Sequence, residues 1–143
     1  MSYFPTYAIK PAINWLELSS DQTYSSNAVV AWDTLTQTRS GRVTLASNQI
    51  TLQPGEYVIN GCVAVQRNVL TTSYGVEFRD SLGTTLTEAD GWMDSQTVTE
   101  DMTGSQVLQA RVILTSALTI DTYITGSAGD IRSDGSHLII LEL

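Results

Sequence analysis

Residues 52–65 read LQPGEYVINGCVAV. Pro54-Gly55 is a turn signal. The run that follows alternates, with Tyr57, Ile59, Val63 and Val65 on one side of an extended chain and Val58, Cys62 and Ala64 on the other. Both sides are largely apolar. An antiparallel strand normally hides one side and wets the other, so this stretch predicts a strand that needs cover on both faces.

Two further stretches share the property. In 12–18 (AINWLEL), Leu16 and Leu18 oppose Ile13 and Trp15; in 137–143 (HLIILEL), Leu138 and Ile140 oppose Ile139, Leu141 and Leu143. A neighbouring copy of the chain is the simplest source of a second cover, and an arm or loop of the same chain is the competing one. Elsewhere the alternation is cleaner. Residues 106–114 put Leu108, Ala110, Val112 and Leu114 on one face with Gln109 and Arg111 opposite, Ile113 breaking the polar side. Residues 118–124 set Leu118, Ile120 and Ile124 against Thr119, Asp121 and Tyr123, the tyrosine being the exception on a wet face.

The 143 residues suit one domain with a single core. Charged residues make up only 15% of the chain and Lys10 is its one lysine. Abundant Thr and Ser in place of Lys and Glu favour strands and turns over surface helices. Ten candidate strands follow: 12–18, 28–35, 42–46, 49–52, 56–66, 73–80, 84–89, 106–114, 118–126 and 137–143. Turn-rich breakers separate them, among them SSDQTYSSN (19–27), SN (47–48) and SAGDIRSDGS (127–136). The expectation is an all-β, antiparallel sandwich of about ten strands over 12–143. Residues 1–11, with Pro5, Pro11 and the aromatic Tyr3, Phe4 and Tyr7, read as an extended arm.

Formal net charge is −8, which repels phosphate and argues against nucleic-acid and anionic-membrane partners. No charged segment followed by an apolar run opens the sequence, so no secretory signal is expected, and no apolar run is long enough to insert in a membrane. The lone Cys62 excludes an internal disulfide.

The motif GEYVINGCVAV resembles the strand of C1q/TNF-like jelly rolls in which a turn glycine is followed by G-x-Y-x-[IF]-x-x-x-V, and SHLIILEL is similar to their apolar last strand. In that family the first and last strands lie beside the G-x-Y strand in an inner sheet, and three domains pack those sheets around a threefold axis. The resemblance implies jelly-roll topology and a homotrimer, and the contact set it suggests is Trp15, Leu18, Tyr57, Tyr123, Ile139 and Leu141. Ile59 stands where an aromatic is common, and collagen-like repeats are absent. Compact Thr/Ser-rich domains of this kind without a signal resemble virion proteins of tailed bacteriophages: head fibres, capsid decoration proteins and tail tips. On that likeness the protein is made in the host cytoplasm and resides in the virion. Tyr3, Phe4 and Tyr7 then anchor it to a capsid or tail protein.

Chemistry is sparse. His137 is the sole histidine, no G-x-S-x-G elbow is present, and His137 with Cys62 would leave a zinc site two ligands short. The acidic stretches around Glu88–Asp101 and Asp130–Asp134 lack EF-hand spacing. The expectation is no enzyme, no catalytic residue, no metal and no cofactor. Within DGWMD, Trp92 and Asp94 form a candidate ligand loop for a host-surface glycan or receptor, the alternative being that Trp92 folds back over one end of the sandwich.

Overall fold

A computed structural model describes residues 11–39, 41–67, 74–87, 91–92, 96–98 and 103–143. Eleven strands run through them: β1 (Ala12–Glu17), β2 (Gln22–Val29), β3 (Thr34–Gln37), β4 (Val43–Ala46), β5 (Gln49–Leu52), β6 (Gly55–Arg67), β7 (Tyr74–Asp80), β8 (Gln96–Val98), β9 (Thr103–Leu114), β10 (Leu118–Ile131) and β11 (His137–Glu142). Every described pairing is antiparallel. The fold is an antiparallel jelly-roll sandwich.

One layer has the order β3-β1-β11-β6, with β9 along the free side of β6. The other is centred on β10, flanked by β7 and β8 on one side and by β5-β4 and β2 on the other. The end of β6 bridges the two layers, Val65–Arg67 pairing with Gly129–Ile131. The strands β1 and β11 lie side by side in the first layer, where Trp15 pairs with Ile139 and Ile139 in turn with Asn60.

Alternation decides what the layers enclose. Leu16, Ile59, Val63, Leu138 and Ile140 of the first layer and Val76, Phe78, Ile120 and Ile124 of the second join a single buried cluster around Trp32. The indole N–H of Trp32 is satisfied by Thr122 Oγ1 at 3.0 Å, as a buried donor requires. Gly61 of β6 leaves no room for a side chain against β11. A Cβ there would lie 2.3 Å from the carbonyl oxygen of His137. The β4–β5 hairpin turns on Ser47 and Asn48 at φ of 50° and 63°, the left-handed pair that matches strand twist in a two-residue loop.

Three sequence expectations are corrected. Residues 28–35 are not one strand: β2 ends at Val29, β3 starts at Thr34, and Val30 and Trp32 turn into the core between them. The polar stretch 19–27 and the small-residue stretch 127–131 largely pair with each other as β2 and the end of β10, backbone bonding overriding their turn-like composition. Of residues 84–89, those described make only an isolated bridge, Thr85 to Arg79. The expected arm, 1–11, lies outside the described residues apart from Pro11, as does Asp94.

Candidate interaction face

The outward side of the first layer is built by register. Across it, Thr36, Trp15, Ile139, Asn60 and Gln109 stand in one row, and Ile13, Leu141, Val58 and Arg111 in the next. A third row runs Thr34, Glu17, His137, Cys62 and Val107. Glu56 and Ile113 pair at the far end, beside Leu143, whose N–H donates to the Glu56 carbonyl at 3.0 Å.

This is where the molecule exposes its grease. Among the described residues the exposed large apolar side chains are Ile13 (43%), Val107 (49%), Ile113 (74%), Leu143 (51%) and Leu82 (89%). All but Leu82 lie on this one face, and half-buried Trp15, Val58, Ile139 and Leu141 fill the space between them. Contiguous exposure of this kind marks an interaction site, whereas a single leucine on a turn does not. The face also carries little charge. Glu56 and Arg111 neutralise one another through a 3.0 Å ion pair, and Glu17 accepts the indole N–H of Trp15.

One corner is polar. The ring of His137 stacks on Trp15 with centroids 5.2 Å apart and planes 12° from parallel. Its Nδ1 is 3.7 Å from Cys62 Sγ, and the thiol donates to the Gly135 carbonyl at 2.8 Å. Burial raises the Cys62 pKa, outweighing the lowering effect of the His137 backbone hydrogen bond, so the sulfur is held as a neutral thiol.

Of the residues expected at this face, Trp15, Ile139 and Leu141 are brought together on it. Leu18 and Tyr57 are not. Both point into the core, and Tyr57 is fully buried with its hydroxyl donating to the Gln53 carbonyl at 2.6 Å. Burial is the main cause of its raised pKa, with the Glu142 carboxylate second. Tyr123 is on the opposite layer, beneath the Arg79 guanidinium 3.6 Å from its ring centre, with Arg79 also paired to Glu77. Trp92 is also core: it is 2% exposed and meets Phe78 edge-on with centroids 5.0 Å apart. An indole turned inward cannot stack on a sugar, so the glycan loop loses its aromatic anchor. Val107 and Ile113 were not in the expected set, although Ile113 betrayed itself by breaking the polar side of its strand.

Among the described residues, no three His, Cys, Asp or Glu side chains cluster as a metal site. No helix of the structure is long and apolar enough to cross a membrane.

No family model matches the chain and no curated protein does. Solved structures match its fold. Murine APRIL at pH 8.5 superposes with a TM-score of 0.67 at 15% identity, over 94% of this chain and 100% of that one. Murine APRIL at pH 5.0 gives 0.67 at 16% identity over the same shares. Eiger TNF from S. frugiperda gives 0.65 at 12% identity over 94% of this chain and 93% of that one. Identities this low carry the jelly-roll fold alone.

Proposed function

We propose that the chain is a non-enzymatic structural subunit that forms a homotrimer through the outward face of β1, β11, β6 and β9. In this reading it is displayed on a bacteriophage particle as a head fibre or capsid decoration, with residues 1–11 attaching it to a capsid protein. The observation that carries the proposal is the apolar face itself. Four strongly exposed apolar side chains gather there on a chain whose formal charge is −8, and beside them Glu56 and Arg111 pair with one another. A second copy is the occupant that fits. Like-charged copies repel, and an apolar face whose Glu56 and Arg111 cancel lets them approach at reduced cost. The count of three rests on the resemblance of the G-x-Y, first and last strands to the C1q/TNF-like pattern. The virion setting rests on the Thr/Ser-rich, lysine-poor composition on that fold.

Two measurements test this. Light scattering coupled to size exclusion should give the mass of three 15.6 kDa chains, and a monomer at micromolar concentration overturns the assembly. Deleting residues 1–11 should abolish attachment to the particle while leaving that mass intact in chain number. Loss of assembly on deletion would instead make the arm part of the oligomer.

A further inference from the structure

Resting on the assembly proposed above, we infer that the amides of Asn60 and Gln109 are the lock of the outward face. They hydrogen-bond from copy to copy and so fix the arrangement in which the copies close.

Asn60 of β6 and Gln109 of β9 are direct strand partners, and both are exposed on the outward face. Side chains so opposed stand about 5 Å apart at Cβ. Apolar residues border them. Ile139 pairs with Asn60 from β11, and Val58 and Val107 lie in the adjoining rows. Within the chain the two amides are idle: among the described residues neither makes a side-chain hydrogen bond. Amides on other strands are engaged, Asn14 with Ile140 and Glu142, Gln22 with Val29 and Ala31, and Gln37 with Asn14 and Val43. In the separate chain, water alone satisfies Asn60 and Gln109.

A second copy laid on the face removes that water, and a polar group buried without a partner is penalised. An amide holds both donors and an acceptor, so it can bond to its own kind on an identical copy. It does so without adding charge to chains that already carry −8. The apolar side chains around the pair accept many alignments, because their attraction has no direction. Hydrogen bonds have direction, and only alignments that join the amides escape the penalty. The pair therefore selects among assemblies more than it strengthens one, as an asparagine in the apolar seam of a coiled coil fixes register and oligomer number.

The test replaces both amides by apolar side chains of similar size, Asn60→Leu together with Gln109→Met, in the intact chain. Native mass spectrometry over a concentration series reads the assembly mass. The parent should give one assembly mass, and the double variant should lose it, spreading over several counts or shifting to another. A parent of mixed mass, or a variant that keeps the parent's mass alone, overturns the lock and leaves self-association standing. A variant that falls apart to monomer overturns it too, since the amides would then supply affinity rather than choice. A parent that is monomeric at every concentration overturns the assembly and the lock with it. Should the variant fail to fold, the carboxamide N–H resonances of Asn60 and Gln109 in the parent report on the same contact. They should exchange with solvent more slowly in concentrated than in dilute protein, and equal rates overturn the proposal.

Discussion

Ile139 and Ile140 are neighbours in β11 with opposite duties, and substituting each in turn by alanine separates core from contact. Ile140 is fully buried in the common cluster. Its truncation leaves a cavity as well as losing transfer energy, so Ile140→Ala should destabilise each chain by about 2–5 kcal/mol at any protein concentration. Ile139 is only partly buried on the outward face in the single chain. Full burial of an isoleucine side chain stabilises by ~1.5–3 kcal/mol, so covering the third or less that stays exposed is worth roughly 0.5 kcal/mol per copy. Three copies lose about 1.5 kcal/mol in Ile139→Ala, which lowers the trimer association constant by ~10-fold and raises the midpoint concentration by ~3-fold. Urea unfolding read across a dilution series distinguishes the two. The Ile140→Ala deficit should persist at every concentration, and the Ile139→Ala deficit should vanish once the chains are dilute enough to be separate. A concentration-independent loss of equal size in both variants would refute the assignment of β11's two sides.

Gly61→Ala would set a Cβ 2.3 Å from the His137 carbonyl oxygen and 2.9 Å from Leu138 Cα. Backbone must give way, so the variant should lose about 1–3 kcal/mol, read as a fall in melting temperature. Trp92→Ala should cost about 3–5 kcal/mol because the indole is core, and a variant melting like the parent would place Trp92 elsewhere. Asp33 has its carboxyl held below the ordinary value of 3.8, chiefly by the Ser19 hydroxyl. A depressed folded-state pKa contributes stability above the unfolded value and loses it as pH falls below that value. Between about pH 4 and pH 2, the parent should therefore lose stability more steeply than Asp33→Asn, measured by chemical denaturation at each pH.

The fold was legible where side chains of contrasting character alternate. Tyr57, Ile59, Val63 and Val65 all point inward as the two-residue period requires, and so do Leu138 and Ile140. The same period put Trp15, Ile139 and Leu141 on the outward side. It could not tell which of two apolar sides belongs to the core, because that depends on register with strands distant in sequence. Tyr57 and Leu18 were therefore credited to the contact face. Register also explains the omissions. Val107 looks unremarkable within its strand and joins the face only because it pairs with Cys62. The strand β2 was hidden for another reason. Only Tyr24 in it is buried, and its Ser, Asn and Thr residues read as loop until a partner accepts their backbone groups. The polar set inside the first layer was equally invisible. Asn14 donates to Ile140 O and Glu142 Oε2 at 3.0 and 2.9 Å and accepts from Gln37 at 2.7 Å. Fully satisfied, it sits at an inward position of β1 without the penalty of a bare buried amide.

Charge sets the sign of a last prediction. Bringing three chains of −8 together concentrates like charge, and the outward face offers little to offset it, since Glu56 and Arg111 already pair within one chain. Repulsion between copies then acts over distances comparable with the screening length, about 10 Å at 0.1 M salt. Raising ionic strength should tighten assembly by relieving it. Contact through ion pairs between copies would behave oppositely and loosen. The midpoint concentration from sedimentation in about 0.05 M and about 0.5 M sodium chloride decides between them, the two conditions spanning the change from weak to strong screening. A midpoint that falls at high salt fits copies joined by apolar side chains against their mutual repulsion. One that rises would mean that charged groups hold the copies together, and the face formed by Ile13, Trp15, Ile139 and Leu141 would no longer account for the contact.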